Sequence, residues 1–319
     1  MEILQQPELE KKVVSQKNLM AQACPTLLQS IGNTPLVRLE FDTKPTILAK
    51  LEYANPGGSV KDRSAYFMVK DAEDRGLLQP GGTIIEASSG NQGIALAMIG
   101  AVKGYKVKIV VPSRTSKEKR ATLQAYGAEL IVCPEGMTSA EHAKALHAQA
   151  PGSFMPNQYF NPANIQAHYA TTGPEIWKQT KGQLTHFVVG AGSCGTISGT
   201  AKYLKEQNPN IKIIGVDAAD SAYSSEHPKA YKAEGMGIDY PYGLFDKSII
   251  DLIVPVTDED AFEATRFYAI KYGILGGISS GAVLKVTHEF AKTAQESDVI
   301  VCLLADSGRA YLSKVFGLD

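Results

Sequence analysis

The sequence predicts an α/β protein built of two doubly wound units, and three observations lead there. Short β-branched runs alternate with helix-period segments along most of the 319 residues. The alternation falls into two clusters, one within residues 48–158 and one after residue 180. Polar or Gly-rich loops follow several of the strands, which is where sites lie in folds of this class.

The elements follow in order. Residues 1–20 form an extension; its start, MEILQQPELEKKVVSQ, lacks the apolar core of a signal peptide. The predicted strands are ILAKLE (47–52), TIIEA (83–87), KVKIVV (106–111), ELIVC (129–133), HFVVGA (186–191), IKIIGVD (211–217), SIIDLIVPV (248–256) and DVIVCLLA (298–305). Helical periodicity covers 63–76, 92–104, 116–127, 195–207, 259–273 and 282–292, and several of these segments end in Gly, a common helix stop. The expected division is a smaller, mobile unit over 48–158 and a larger one from 21–47 plus 159–319, with a cleft between them.

Composition narrows the function. With 44% hydrophobic and 20% charged residues and a formal net charge of −1, the chain reads as soluble and globular. It carries no basic field for nucleic acid and no apolar run long enough to span a membrane. Cys24, Cys133, Cys194 and Cys302 are far apart and form no C-x-x-C pair, so neither a metal site nor a disulfide framework is expected. A cytoplasmic setting follows.

Four loops stand out. NPGGSVKDR (55–63) sets Lys61 behind a Gly pair at a strand end. It lacks the P-loop pattern, which leaves a solvated surface lysine or a desolvated amine nucleophile. EASSGNQG (86–93) crowds Ser88, Ser89, Asn91 and Gln92 at a helix start, where N–H groups favour an anion such as a carboxylate, or where one side chain caps the helix. GAGSCGTISG (190–199) holds Gly190, Gly192 and Gly195 in G-x-G-x-x-G spacing, with Asp217 ending the next strand. That spacing suits a phosphate at a helix start, and Ser193 and Thr196 add hydroxyls. GGISSGA (276–282) places Ser279 and Ser280 before a further helix, as caps or cofactor contacts.

Together with IGNTPLVRL (31–39), NQYFNPANIQAHYATTGPEI (157–176), AEGMGIDYP (233–241) and ADSGRAYLSKVF (305–316), these loops resemble the fold type II pyridoxal-phosphate (PLP) enzymes, in the branch of cysteine synthase and cystathionine β-synthase. The resemblance runs over about residues 25–316 and implies the tryptophan synthase β-like fold, with the cofactor in the cleft and the larger unit binding it. It assigns Lys61 as the lysine that holds PLP and takes the substrate's α-proton. Asn91 falls beside the PLP 3′-oxygen, and Gly192, Ser193, Cys194, Gly195 and Thr196 form the phosphate cup. Ser279 meets the pyridine nitrogen. Ser88, Ser89, Gln92 and Gln158 surround the substrate carboxylate, and Gly235 lies in the loop facing the incoming substrate. The implied reaction is β-replacement on L-serine, O-acetyl-L-serine or L-cysteine by a thiol or sulfide, through an aminoacrylate, in a homodimer.

The chain departs from the family pattern in places. Cys194 stands where glycine is usual; its Cβ calls for ordinary backbone angles and a slightly reshaped loop. Gln92 stands where threonine is frequent. AEGMGIDYP and DSGRAYLSKVF lean to cystathionine β-synthases, whereas GISSGA leans to cysteine synthases. Asp239 is either a turn residue or a base that activates the nucleophile. The ACP segment at Cys24 lacks the haem-binding surroundings and the chain stops at Asp319, so neither haem nor adenosyl-effector control is expected. A strict O-acetylserine sulfhydrylase is the nearest alternative. A nicotinamide oxidoreductase built on Gly190, Gly192, Gly195 and Asp217 is a remote one, because it leaves Lys61, Asn91 and Ser279 without a role. A binding protein that kept the fold and lost the chemistry sits badly with the retention of these residues and Thr196.

Overall fold

The computed structural model describes residues 23–88, 90–113, 115–238 and 243–318. Two sheets organise them. The larger has six strands in the order β1-β2-β9-β6-β7-β8. These are β1 (Leu36–Leu39), β2 (Thr46–Leu51), β6 (His186–Gly190), β7 (Lys212–Ala218), β8 (Leu252–Val256) and β9 (Val299–Leu304). Only the β1/β2 pair of this sheet is antiparallel. The smaller sheet is parallel, in the order β3 (Thr83–Ala87), β4 (Lys106–Val111) and β5 (Glu129–Val132).

Both faces of each sheet are covered, as parallel strands require. Along β9, Ile300, Cys302 and Leu304 feed one apolar cluster, whereas Val301 and Leu303 feed another on the opposite face. The smaller sheet repeats this arrangement: Ile84 and Ile109 pack on one side, Ile85 and Val110 on the other. The helices are α1 (Lys61–Asp74), α2 (Asn91–Lys103), α3 (Lys117–Ala125), α4 (Ser139–Ala148), α5 (Pro162–Ala167), α6 (Gly173–Gln179), α7 (Gly195–Gln207), α8 (Asp258–Tyr272), α9 (Ile278–Ala291) and α10 (Leu312–Phe316). Local chemistry fixes several starts. Thr138 and Glu141 form a capping box before α4, and the Thr257 hydroxyl accepts from the Asp260 N–H at α8.

The strand predicted over 47–52 opens the larger sheet, not the smaller one. Its partner is β9, in parallel register from Thr46↔Val299 to Leu51↔Leu304. A boundary at residue 48 therefore divides a strand of the larger sheet. The reason is non-local: β2 is half of a pairing whose other half comes about 250 residues later in the chain. The strand predicted over 248–256 begins at Leu252, because Asp246 caps a 3₁₀ turn over Lys247–Ile249.

Because β2, β6, β7, β8 and β9 run the same way, their carboxyl ends share one edge. The loops after β2, β6 and β9 meet there, opposite the loops after β3 and β4 of the smaller sheet.

Candidate active site

Lys61 is the first residue of α1, and the turn before it is built from three constraints. Gly58 has φ +87°, the left-handed region that favours glycine. The Gly57 N–H donates to Asp62 Oδ2 at 2.6 Å, and a Cβ on Gly57 would lie 2.5 Å from Asp62 Oδ1. The Val60 N–H donates to the Ala305 carbonyl at 2.8 Å, which holds the turn to the end of β9.

From this turn Lys61 Nζ donates to Ser193 Oγ at 3.1 Å. Burial lowers its pKa to about 8; Cys194 and Asp306 oppose that fall. The amine is therefore turned inward, at the loop after β6, and not out to the surface.

That loop leads into α7. Cys194 adopts φ 63°, ψ 0°, a left-handed conformation. The expectation of ordinary angles at this position is therefore corrected: the loop keeps a glycine-like turn and the side chain adapts to it. The thiol is buried, meets Tyr223 Oη at 3.1 Å, and has its pKa pushed up to about 12 by burial. It is a neutral packing group. A Cβ on Gly195 would come 2.0 Å from Asn164 Oδ1, and Asn164 Nδ2 donates to Ser193 Oγ at 3.2 Å. Thr196 Oγ1 meets His168 Nε2 at 3.2 Å. Burial, with Arg63 and Lys61 nearby, drives the His168 pKa well below its ordinary value, so that ring is neutral.

Across the cleft, Asn91 begins α2 and donates from Nδ2 to Asp306 Oδ2 at 2.7 Å. Ser88 Oγ accepts from the N–H groups of Gly90 (3.2 Å) and Gly93 (3.1 Å), so this hydroxyl shapes and caps the loop. Gln92 Oε1 accepts from Ser64 Oγ at 3.2 Å, whereas its Nε2 is buried without a partner. Gln158 Oε1 is likewise buried and unpartnered. Glu86 ties the two loops together by accepting from the Asn157 N–H at 2.8 Å. Ser279 lies in the first turn of α9; a Cβ on Gly235 (φ +88°) would sit 2.9 Å from Ser279 Oγ. Ser89 and Asp239 lie outside the described residues.

Four residues join the site that sequence reasoning passed over: Asp306, Asn164, His168 and Lys119. Each acts through a partner distant in the chain, such as Asn91 with Asp306. The signal available for Asp306 was an acid directly after an apolar strand. Asp217 does not serve a nucleotide ribose. It is fully buried and accepts from Ser224 Oγ at 2.7 Å. Among the described residues no group of His, Cys, Asp and Glu could hold a metal ion, and no helix is long and apolar enough to cross a membrane.

The residues present fit pyridoxal phosphate. A buried amine of lowered pKa faces a helix-start loop with Ser193 and Thr196, the pairing of a carbonyl-reactive lysine with a phosphate cup. At Gly235 a side chain would run into Ser279 Oγ, so that hydroxyl stays uncovered, and the unpartnered amide atoms of Gln92 and Gln158 offer polar contacts to a bound molecule.

Comparison with known proteins agrees. Residues 27–306 match the model of the family described as pyridoxal-phosphate dependent enzyme. A cystathionine β-synthase of Apis mellifera is 44% identical over 306 residues, spanning 91% of this chain and 61% of the relative's length. The cysteine synthase B of Salmonella typhimurium is 43% identical over 299 residues, spanning 92% of this chain and 96% of its own. The crystal structure of a hydrogen sulfide-producing enzyme from Fusobacterium nucleatum superposes with a TM-score of 0.87 at 43% identity, covering 91% of this chain and 98% of that one. The chain belongs to the pyridoxal-phosphate dependent enzymes, in the branch that holds the cysteine synthases and cystathionine β-synthases.

Proposed function

We propose that this chain performs β-replacement on a serine-type amino acid, exchanging its β-substituent for a thiol or sulfide. The observation that carries the reading is the Lys61 amine, held 3.1 Å from Ser193 in the phosphate loop with a pKa lowered to about 8. An amine near that value divides between base and acid at neutral pH, as a residue must that takes a proton and returns it. When bound, PLP supplies the electron sink that acidifies the α-C–H bond.

The chain's own residues do the rest. Lys61 takes the α-proton on Nζ while the β-substituent departs with its bonding electrons, and later returns a proton to the α-carbon once the nucleophile has added at the β-carbon. Ser193 Oγ accepts from both Lys61 and Asn164, so its own proton points outward as a donor to a phosphate oxygen. Thr196, Gly192, Cys194 and Gly195 complete that cup. Asn91, whose amide also donates to Asp306, would donate its second N–H to the 3′-oxygen of bound PLP. Ser279, a neutral hydroxyl, would meet the ring nitrogen of bound PLP without holding it protonated, and so would moderate the sink. Gln92, after the loop that Ser88 caps, and Gln158, on the loop that Glu86 ties to it, hold the substrate carboxylate together with Ser89, and closure of the smaller unit excludes water. The loop that holds Gly235 faces the incoming nucleophile, and an Asp239→Asn variant tests whether Asp239 activates it. The working form is a cytoplasmic homodimer, which sedimentation velocity checks. Cysteine- or cystathionine-forming chemistry is distinguished by substrate trial.

The test is a visible spectrum followed by borohydride reduction and peptide mass mapping. A violet band, with phosphopyridoxyl mass on the peptide holding Lys61 and no such mass in Lys61→Ala, is the expected result. Adding L-serine, O-acetyl-L-serine and L-cysteine separately then names the first substrate by which one changes the band. A protein that stays colourless with added PLP overturns the reading.

A further inference from the structure

Asp306 joins three parts of the site that sit far apart in the chain. Its backbone bridges Ser59 in the Lys61 turn, and its carbonyl accepts from the Gly277 N–H (2.9 Å) at the start of the Ser279 helix. Its side chain reaches across the cleft. Oδ2 accepts from Asn91 Nδ2 at 2.7 Å and from Tyr311 Oη at 2.6 Å, while Oδ1 is buried against Gly277 with no partner.

Two consequences follow from donor and acceptor chemistry. An ionised carboxylate only accepts, so it turns the NH₂ of Asn91 toward itself and leaves the second N–H for the cleft. It is also the negative charge that Lys61 meets. Of the two groups that oppose the fall in the Lys61 pKa, the Cys194 thiol is neutral at pH 7 because burial pushes it to about 12. His168, which also senses Lys61, is neutral too.

We propose that Asp306 is a positioning residue for this reaction: it fixes the Asn91 amide and supplies the negative charge that steadies Lys61 when that amine takes up the α-proton. The proposal rests on Lys61 being the cofactor lysine. The groups facing Asp306 set its charge. Burial raises its pKa; Lys119, Tyr311 and Asn91 oppose that rise, and Glu234 adds to it. Lys119 stands over the Tyr311 ring, 4.2 Å from the centroid, and is ion-paired to Glu234, which also binds Lys314 at 2.7 Å. Lys119 is thus the foremost of the groups that favour the Asp306 carboxylate.

The test is a pH titration of the violet band in the holoenzymes of wild type, Asp306→Asn and Lys119→Met, with bound PLP counted by mass. Without the charge, the pH at which the band gives way falls by about one unit in Asp306→Asn, the low end of what one neighbouring opposite charge does. Lys119→Met moves it by less. In Asp306→Asn kcat falls about tenfold, with KM for the amino acid within about threefold. A fully loaded Asp306→Asn enzyme that titrates as wild type overturns the proposal. If that variant does not fold, an unmoved band in Lys119→Met does so instead. A wild type without any band defeats the lysine assignment itself, a separate outcome.

Discussion

Replacing Glu175 by Gln removes one charge from a buried network beneath the site. Glu175, on α6, accepts from Arg63 Nη1 at 2.6 Å, Arg63 Nη2 at 2.8 Å and Lys50 Nζ at 2.7 Å. Its side chain is 14% exposed, and those of Lys50 and Arg63 are 0% and 1% exposed. Burial alone would raise the Glu175 pKa; the hydrogen bonds and charge of Arg63, then of Lys50, bring it from 4.5 down to about 2. At about 1.4 kcal/mol per pKa unit, that fall is worth about 3 kcal/mol. Removing one partner of a buried pair costs about 3–5 kcal/mol, so the two routes agree. The sign follows from linkage. A folded-state pKa below the unfolded one gives stability that is fully present above pH 4.5 and is lost as pH falls toward 2. For a chain of this length, with an unfolding entropy of about 0.7 kcal/mol/K, Glu175→Gln lowers Tm by about 5 °C. The assay is paired thermal melts of wild type and variant from pH 5 to pH 7, where the gap stays constant. A gap under about 1 °C, or one that closes by pH 5, refutes the reasoning and places Glu175 among the weakly coupled surface carboxylates.

Three further outcomes are expected. Burial raises the pKa of Asp62 to about 7 and that of Glu86 to about 7, so the folded state binds these protons more tightly than the unfolded chain. Stability therefore rises as pH is lowered from 8 to 6, and the Asp62→Asn, Glu86→Gln double variant flattens that slope in thermal melts. Cys194→Gly removes a left-handed strain of about 1–2 kcal/mol but forfeits the buried thiol and frees the unfolded chain, so its stability stays within about 1 kcal/mol of wild type. Cys194→Val, β-branched at φ 63°, loses about 2 kcal/mol or more by the same measurement.

The parts of the fold governed by local pattern were legible. TIIEA, KVKIVV and the helix over 195–207 stand where their periodicity put them. The segment over 162–179 was not, because it is broken by Pro162, Pro174 and a π-helical turn over His168–Thr172 and shows no sustained period. α4 also escaped, since SAEHAKALHA buries only Ala143 and offers no apolar stripe. In the site, Lys61 and Ser193 were named separately and the structure brings them together, because each terminates or follows a strand of one sheet. Asn164 and His168 gave no local signal, and Asp306 only that of an acid after an apolar strand: their importance lies in pairings that only the folded chain creates.

The segment from Pro162 to Gln179 carries the chain back from the smaller sheet to the larger, and along it sit Asn164, His168 and Glu175. It also carries Trp177, the single tryptophan of the sequence, packed against the apolar cluster to which Phe187 and Ile197 belong. The indole is therefore an optical reporter with one address. Its emission reads the stretch that touches the Ser193 loop at one end and the buried ion network at the other. Cofactor loading, which brings a chromophore absorbing in the violet into the same fold, registers as quenching of that one fluorophore.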